Sequence, residues 1–289
     1  MKCLFVYNKI SGGSKEVSYH EEIIKYLNNI YDYVDLFEPN VGKDISTVLS
    51  CNNYDDVICA GGDGSITLLI DKLKQLDFNG NIGYIPLGTA NDFARKNNLP
   101  LNIDKSLKVI KDRNIENIKI GKANNKVLLY GLALGKISSV SYTAKIHNKK
   151  RFAKFSYIIE GLKELFSFKT KKIYLKFQGY EIEYDTPLIL ILDSKTLGGF
   201  KVNHGKLNSY DVLILKKGLL NGLFGIASIF LFGYKKTNTI YYDYFSLQDF
   251  CVETSKIESW CLDGERYDSE SIEIHARKEN INLYTKKVG

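Results

Sequence analysis

A short glycine-rich segment combines residue types that bind phosphate with a carboxylate that could act on it. The segment, 61–65, reads GGDGS, follows the apolar run at 55–60 and precedes an apolar-periodic stretch at 66–76. This pattern predicts a turn from a strand into a helix. Glycines allow positive φ and a close backbone approach, and the N–H groups at a helix start attract anions. We therefore predict a phosphate-binding turn in which Asp63, unshielded between glycines, reaches a metal–phosphate complex or a reacting hydroxyl; a tight structural turn is the alternative.

Two further loops have the same position relative to their strands. Residues 8–15 (NKISGGSK) follow the strand-like run Lys2–Tyr7 and end in a lysine that could neutralise phosphate. Residues 86–95 (PLGTANDFAR) follow another such run and lead into a helix beginning near Asn91, with Thr89 or Asn91 as its N-cap. In an open α/β sheet, loops of this kind meet at the carboxyl edge, where ligands bind. Three of them favour a triphosphate site over three coincidental turns, although no Walker A pattern is present.

The chain is long enough for two domains, and its pattern changes along its length. It has 289 residues, 44% of them hydrophobic and 25% charged, as is typical of a soluble globular protein. Strand-like and helix-like stretches alternate first; many strands then follow one another, with a helix near 152–168 and separate strands at 272–275 and 281–284. We predict an α/β domain at 1–122, with a mostly parallel sheet in three layers, and a β-rich sandwich domain at 123–289. The last strand could return to the first domain, and the active site is expected in the cleft between the domains.

The segments GGDGS and PLGTANDFAR resemble the diacylglycerol kinase catalytic-domain family, which includes bacterial diacylglycerol kinases, related bacterial lipid kinases and sphingosine kinases. NKISGGSK resembles the Asn-Pro-x-Ser-Gly loop of that family, and 261–265 (CLDGE) resembles its late Asp-Gly-Glu motif, so the resemblance runs through most of the chain. It implies a lipid kinase that uses ATP and Mg²⁺ to transfer the γ-phosphoryl group to a lipid hydroxyl. Diacylglycerol is the first candidate acceptor, with phosphatidate as the product.

The resemblance also implies roles for individual residues. Nucleotide binding is expected from residues of the three loops: Asn8, Ser11, Gly12, Gly61, Gly62, Asp63, Gly64, Ser65 and Thr89. Asp63 and Asp92 would lie near the metal and the transferred phosphoryl group, and Glu265 would accept the proton of the lipid hydroxyl as general base. Asp-Gly is also a common turn pair, so an ordinary β-turn before a strand is the alternative for Asp263 and Gly264.

The chain departs from the family pattern in three places. Lys9 stands where proline is usual, and Gly131 stands where asparagine is common. More seriously, 205–212 (GKLNSYDV) aligns with a segment that typically reads Pro-x-Ala-x-x-Asp-Asp-Gly, whose aspartates hold a structural Mg²⁺ in some bacterial members. Only Asp211 remains there. We therefore predict that this second metal site is absent or weak.

The net charge of +7 is concentrated in one segment. Between Lys145 and Lys176, ten basic residues stand against Glu160 and Glu164, which gives +8 and leaves the rest of the chain nearly neutral. Such a local patch favours an anionic membrane surface over a nucleic-acid groove, and an ordinary solvated helix face is the alternative. We expect a peripheral membrane partner and no nucleic-acid partner, with a homodimer left open.

A stretch of seventeen residues without charge, 218–234, is flanked by lysine pairs. It is short for a membrane span and contains four glycines, so we predict a helix packed on the β-rich domain, with an interfacial membrane helix as the alternative. The five scattered cysteines form no C-x-x-C pair, the four histidines show no zinc spacing, and the N-terminus lacks a signal-peptide pattern. These features predict a reduced, cytoplasmic protein that is peripheral at the inner membrane face.

Two other functions remain open from the sequence. GGDG is shared with NAD kinases, and a kinase for such a soluble substrate would be active without membranes and would not bind vesicles. A catalytically silent lipid-binding regulator is suggested by the altered segment at 205–212. The presence of Asp63, Asp92 and Glu265 argues against a silent protein.

Overall fold

The structure is a computed structural model of the chain, and it describes residues 1–8, 19–39, 44–135, 170–202 and 209–287. The helix expected near 152–168 lies outside these residues. The chain forms two compact units: the first comprises Met1–Ile120 together with Glu279–Gly289, and the second comprises Gly121–Lys278. The active-site cleft expected between two domains stays a prediction.

The first unit alternates strands and helices. Its strands are β1 (Lys2–Tyr7), β2 (Tyr33–Phe37), β3 (Asp56–Gly61) and β4 (Asn81–Pro86), and its helices are α1 (Tyr19–Leu27), α2 (Ile45–Cys51), α3 (Asp63–Gln75), α4 (Asp92–Lys96) and α5 (Ile103–Asp112). The strands pair in parallel in the order β2-β1-β3-β4. The end of the C-terminal strand, β16 (Glu265–Tyr284), adds to β4 in parallel, with Leu283 opposite Ile82. The predicted α/β architecture with a parallel sheet is confirmed.

Apolar strands and one apolar side of the covering helices form the core of this unit. β1 and β3 are buried along nearly their whole length, as expected for parallel strands covered on both faces. Ile23 and Leu27 of α1 and Ile110 of α5 share one cluster with Phe5 and Ile58. This burial stabilises the sheet and fixes where its strands end, and therefore where the predicted loops begin.

A buried aspartate joins the C-terminal segment to the first unit. The Asp56 carboxylate is fully buried and accepts hydrogen bonds from the Tyr284 hydroxyl at 2.7 Å and from the Arg113 guanidinium at 3.0 Å. Asn81 donates to its other oxygen at 2.8 Å. Because a buried carboxylate is tolerated only with such partners, these contacts hold β3, β4 and the C-terminal strand together.

The second unit is β-rich, as predicted. Besides residues of β5 (Ile115–Ala123) and β16, it contains β6 (Lys126–Leu128), β7 (Gly131–Gly135), β8 (Lys171–Phe177), β9 (Tyr180–Thr186), β10 (Leu188–Leu192), β11 (Thr196–Leu197), β12 (Phe200–Lys201), β13 (Tyr210–Leu215), β14 (Tyr242–Leu247) and β15 (Asp249–Leu262). Antiparallel pairs run in the order β14-β13-β10-β7-β15-β16, while β8 pairs with β15 and β9 pairs with β8. Trp260, the only tryptophan, is fully buried in its core beside Leu175 and Ile272.

The apolar stretch at 218–234 forms the helix α6 (Leu219–Phe232). Its residues Ile226 and Ile229 are buried against Leu190 and Leu213 of the sheet. In the ranges that the structure describes, no helix is both long enough and apolar enough to cross a membrane.

Two element boundaries differ from the sequence predictions. α3 begins at Asp63, earlier than the helix expected at 66–76, because the Gly62 carbonyl oxygen already accepts the Ser65 and Ile66 N–H groups. The strands expected at 272–275 and 281–284 are parts of the single strand β16. The polar residues between them do not end the strand, since backbone pairing needs no apolar side chain.

Candidate active site

The turn after β3 leads directly into the first turn of α3. Gly62 is the N-cap residue and has extended backbone, with φ −89° and ψ −177°. The expectation of positive φ is wrong here, since Gly61, Gly62 and Gly64 are not among the residues with left-handed backbone. Glycine is required at Gly61 for space, because an added Cβ would lie 2.7 Å from the Ser65 side chain. The absence of a side chain at Gly61 therefore lets the end of β3 pack closely against Ser65, and the first N–H groups of the helix favour an anion.

Asn8 connects the end of β1 to the glycine turn. Its backbone N–H donates to the Ala60 carbonyl at 3.0 Å, and its Nδ2 donates to Ser65 Oγ at 2.8 Å. Two of the expected nucleotide-binding residues, Asn8 and Ser65, are therefore in contact. Ser11 and Gly12 lie outside the described residues, so their role stays a prediction.

The loop after β4 packs directly on the glycine turn. The Leu87 N–H donates to the Gly61 carbonyl at 2.8 Å. Gly88 and Asn91 close the loop through two hydrogen bonds, from Gly88 N–H to Asn91 Oδ1 at 2.9 Å and from Asn91 Nδ2 to the Gly88 carbonyl at 2.8 Å. A Cβ added to Gly88 would lie 2.8 Å from the Gly62 Cα, so only glycine permits the two loops to approach this closely.

Gly88→Ala is expected to weaken nucleotide binding by roughly tenfold, which corresponds to about 1.4 kcal/mol. The new methyl group would clash with the backbone of Gly62. Backbone atoms cannot relieve such a clash by a rotamer change, as a flexible side chain could. Titration with a fluorescent ATP analogue measures the effect. Gly131→Ala is the matched control, because its added Cβ would meet no atom closer than 3.6 Å and the affinity should stay at the wild-type value. Equal affinities for Gly88→Ala and the wild type would contradict the close packing of the loops.

Asp63 caps the start of α4, whereas the sequence predicted an unshielded side chain. Its Oδ1 accepts the Phe93 N–H at 3.1 Å, and the N–H groups of Asn91 and Asp92 also hydrogen bond to its carboxylate. Asn91 is the N-cap residue but has left-handed backbone (φ 53°) and makes no side-chain cap, and Thr89 is exposed. The side-chain cap of α4, expected from Thr89 or Asn91, is therefore provided by Asp63 of the glycine turn.

The two carboxylates of this region fit a divalent cation. Burial and the neighbouring Asp92 carboxylate raise the pKa of Asp63 to about 6, and the N–H groups at the start of α4 oppose this increase. A cation would relieve the repulsion between Asp63 and Asp92, and carboxylate oxygens are ligands that Mg²⁺ prefers. Among the described residues no cluster of three or more His, Cys, Asp or Glu could hold a metal ion. Binding of Mg²⁺ by Asp63 and Asp92 stays a prediction.

The stability of the metal-free protein is expected to depend on the protonation of Asp63. The pKa is raised from 3.8 to about 6, so the folded state holds more protons than the unfolded chain between these values. The stability contributed by this group is complete below about pH 3.8 and is lost as the pH rises through about 6, at up to about 1.4 kcal/mol per pH unit. Urea unfolding between these pH values should show the wild type losing stability relative to Asp63→Asn. A difference that stays constant with pH would contradict the raised pKa.

The Asp-Gly pair before Glu265 forms a tight hairpin between β15 and β16. Asp263 (φ 47°) and Gly264 (φ 85°) both have left-handed backbone, as a two-residue type I′ turn requires. Leu262 and Glu265 face each other across this turn. Glu265 is the first residue of β16, and its side chain is half-buried. Its role as general base stays a prediction.

Asp263 makes contacts that the sequence analysis missed. Its buried carboxylate accepts hydrogen bonds from three consecutive backbone N–H groups, those of Leu129 (2.6 Å), Tyr130 (2.8 Å) and Gly131 (2.9 Å). The Tyr130 hydroxyl donates to the Asp263 carbonyl oxygen, and the Asp263 N–H donates to the Gly131 carbonyl. These contacts hold the turn in one orientation and fix the position at which Glu265 begins its strand. In the sequence, these contacts of Asp263 were indicated only by its position two residues before Glu265, the predicted base.

Asp211, the aspartate that remains in the segment 205–212, has tyrosine partners. Its fully buried carboxylate accepts hydrogen bonds from the Tyr244 hydroxyl at 2.8 Å and from the Tyr234 hydroxyl. Burial and this carboxylate raise the pKa of Tyr244 to about 12. The hydroxyl groups give the carboxylate the partners that a buried charge needs. Residues 203–208 lie outside the described residues, so a weak or absent second metal site stays a prediction.

The described end of the basic segment is paired with acidic side chains. Each of its lysines forms an ion pair with a neighbouring strand: Lys171 with Glu258, Lys172 with Glu183, and Lys176 with Glu253. These pairs reduce the positive charge that this part of the segment could offer to a membrane. Residues 145–169 lie outside the described residues, so membrane contact through the segment stays a prediction.

Glycine-containing turns at the carboxyl edge of a parallel sheet, one of them leading into a helix N-terminus, are typical of proteins that bind phosphate groups. Residues 2–123 match the family model of the diacylglycerol kinase catalytic domain, and all three loops lie inside the match. The resemblance to this family that the sequence motifs indicated is thereby confirmed.

Relatives found by sequence have lipid kinase names. A Streptococcus pneumoniae protein with the provisional name lipid kinase is 22% identical over 99% of this chain and 98% of its own length. A diacylglycerol kinase of Staphylococcus saprophyticus is 29% identical over 61% of this chain and 59% of its own length. A diacylglycerol kinase of Bacillus subtilis is 28% identical over 73% and 71%, respectively. The chain therefore aligns with only about three-fifths of the staphylococcal enzyme, and the matches together support a lipid kinase.

Solved structures show the same fold. A diacylglycerol kinase from Bacillus anthracis str. Sterne superposes with a TM-score of 0.74 at 18% identity, over 99% of this chain and 97% of that chain. A second crystal structure from the same strain gives a TM-score of 0.77 at 18% identity and the same coverage. At this identity the likeness is one of fold, and it agrees with an α/β unit followed by a β-rich unit.

Proposed function

We propose that this protein is an ATP-dependent lipid kinase that transfers the γ-phosphoryl group of ATP to a lipid hydroxyl. Diacylglycerol is the first candidate acceptor, and phosphatidate would be the product. The observation that carries the proposal is the packing of the glycine turn at 61–65 against Asn8 and against the loop at 86–92. All of these residues lie within the match to the diacylglycerol kinase catalytic domain.

The loop cluster would bind the nucleotide phosphates. The glycine backbone and the first N–H groups of α3 are suited to donate hydrogen bonds to phosphate oxygens. Asp63 and Asp92 would hold Mg²⁺, which when bound neutralises charge on the phosphates. Because Asp63 also caps α4, it would keep Asp92 and the loop before it in a fixed place beside the glycine turn.

Glu265 is our candidate for the group that accepts the proton of the lipid hydroxyl. During transfer, the acceptor oxygen forms a bond to the γ-phosphorus, and the bond from that phosphorus to the bridging oxygen breaks, releasing ADP. The hydroxyl proton moves to the Glu265 carboxylate. The hydrogen bonds of Asp263 hold the backbone that precedes this carboxylate.

A water-insoluble lipid acceptor would be phosphorylated at a membrane surface. We therefore propose that the protein associates peripherally with the cytoplasmic face of an anionic membrane. The net charge of +7 is consistent with an anionic surface, because opposite charges raise the local concentration of the protein there.

Phosphorylation of a panel of acceptors tests the proposed reaction. The purified chain is incubated with radiolabelled ATP, Mg²⁺ and detergent-dispersed diacylglycerol, sphingosine or undecaprenol, and in a separate arm with NAD⁺ and no lipid. Label in phosphatidate is the expected result. Label in NAD⁺ alone would identify the soluble-substrate kinase instead. ATP binding without turnover on any acceptor would favour the silent regulator.

A further inference from the structure

One side of α6 fixes the helix to the second unit. Ile226 and Ile229 are buried in a cluster with Leu213. A Cβ added to Gly225 would lie 3.2 Å from the Tyr241 Cβ, so the helix approaches its neighbour closely at this glycine.

Three large apolar side chains on and after this helix are exposed. The exposed fraction is 56% for Phe224, 84% for Phe232 and 72% for Ile240. Phe224 and Phe232 are eight residues apart, which separates them by only about 80° around the helix axis. By the same geometry Ile226 lies about 160° from Phe224 and about 120° from Phe232, whereas Ile229 lies about 140° from Phe224 but only about 60° from Phe232. Exposed apolar side chains indicate a binding surface where they form one contiguous patch.

The chain around α6 carries only positive charge. Residues 212–242 contain no acidic residue and four lysines: Lys216, Lys217, Lys235 and Lys236. The first two form ion pairs, Lys216 with Asp243 at 3.2 Å and Lys217 with Asp185 at 2.6 Å. The other two follow the end of the helix and are exposed. The exposed Phe232 is therefore only three and four residues away from two exposed cationic side chains.

We propose that a docking surface formed by Phe224, Phe232, Lys235, Lys236 and Ile240 binds an anionic lipid membrane. The proposal rests on the lipid kinase function proposed above. Aromatic rings next to ammonium groups suit the boundary between headgroups and acyl chains, where the rings are buried and the ammonium groups contact lipid phosphates. With 14 residues, α6 is about 21 Å long, shorter than the roughly 30 Å hydrocarbon core, so it is too short to span the membrane.

A second copy of this chain is the main competing occupant of the docking surface. In a two-fold dimer the same patch would face its own copy, so Lys235 and Lys236 would approach a surface that carries the same two lysines. Like charges brought together oppose association. An anionic membrane supplies the opposite charge, and its acyl chains cover the exposed rings.

Co-sedimentation of the 289-residue chain with vesicles tests the docking surface without using kinase activity. The vesicles contain either equal parts of phosphatidylglycerol and phosphatidylcholine or phosphatidylcholine alone. The double variants F224S/F232S and K235E/K236E should each lower partition onto the anionic vesicles by about tenfold or more, and the effect of the lysine variant should shrink at high salt. Tyr33→Ser, which replaces an aromatic residue of the first unit that is 70% exposed, should bind as the wild type does.

A tryptophan at the docking surface reports insertion directly. In Phe232→Trp, the second tryptophan should show a blue-shifted emission on anionic vesicles and be quenched by brominated acyl chains. The native Trp260 is fully buried, so it should contribute a constant background. ATP affinity of all these variants should equal that of the wild type, because none of the replaced residues belongs to the nucleotide-binding loops.

Unchanged vesicle binding of F224S/F232S, or no binding of the wild type to anionic vesicles, would overturn the docking proposal. A wild-type dimer in light scattering that F224S/F232S abolishes would identify a second copy as the occupant and would also overturn it. Intact vesicle binding without phosphorylation of any lipid would instead count against the proposed kinase function alone.

Discussion

Glu265→Gln is expected to lower kcat with the lipid acceptor by about 10²–10⁴-fold, the usual contribution of a general base. Glutamine has the shape of glutamate but cannot accept the proton of the attacking hydroxyl. Glu265 is the first residue of β16, is paired with Leu262 and has a half-buried side chain. The backbone pairing there does not depend on the carboxylate. Nucleotide affinity should therefore be unchanged. Initial rates of lipid phosphorylation and a separate ATP titration measure the two quantities.

Glu270→Gln is the matched control for this experiment. Glu270 is an exposed residue of the same strand, so the same loss of charge there should leave kcat within twofold of the wild type, about 0.4 kcal/mol. If Glu265→Gln kept the wild-type kcat, Glu265 could not be the base. If it lowered nucleotide affinity as strongly as kcat, the carboxylate would act mainly in binding.

Asp263→Asn is expected to lower the free energy of unfolding of the second unit by at least about 1.5–3 kcal/mol, the contribution of a single hydrogen bond to a charged group. The Asp263 carboxylate accepts hydrogen bonds from three backbone N–H groups. The asparagine side chain has an NH₂ donor in place of one of the two accepting oxygens. At least one buried N–H of 129–131 would then lose its partner, which costs about 1–3 kcal/mol by itself. Denaturant unfolding followed by the fluorescence of Trp260 reports on this unit, since that tryptophan is buried within it.

Two control variants allow the loss of stability in Asp263→Asn to be interpreted. Asp268→Asn changes a carboxylate on the strand that follows this turn; the side chain is 44% exposed, and stability should change by less than about 0.5 kcal/mol. Tyr130→Phe removes only the hydroxyl that donates to the Asp263 carbonyl oxygen and should cost about 1 kcal/mol. An Asp263→Asn protein that unfolds at the wild-type denaturant concentration would show that the three hydrogen bonds do not stabilise the turn.

For the glycine turn at 61–65, the sequence predicted the position correctly but not the reason for its glycines. Its place between β3 and α3 followed from apolar periodicity, which is a local property. The reason for its glycines did not follow, because Gly61 and Gly88 are required by contacts with Ser65 and Gly62. A rule based on positive φ could not reveal a steric requirement that arises only when two loops pack together.

The sequence by itself determined the positions of β1, β3 and β4, the turns that follow them and the β-rich character of the later chain. Apolar patterns and turn-forming residues act over a few neighbours, so they can be read without the fold. Only the tertiary structure decided that Asp63 caps α4, that Asp263 binds the N–H groups of 129–131, and that Asp56 meets Tyr284. These partners are 30, 132–134 and 228 residues apart in sequence. Hydrogen bonds over such separations exist only after the sheets have formed and packed, since packing alone brings the groups together and removes the water that would otherwise satisfy them.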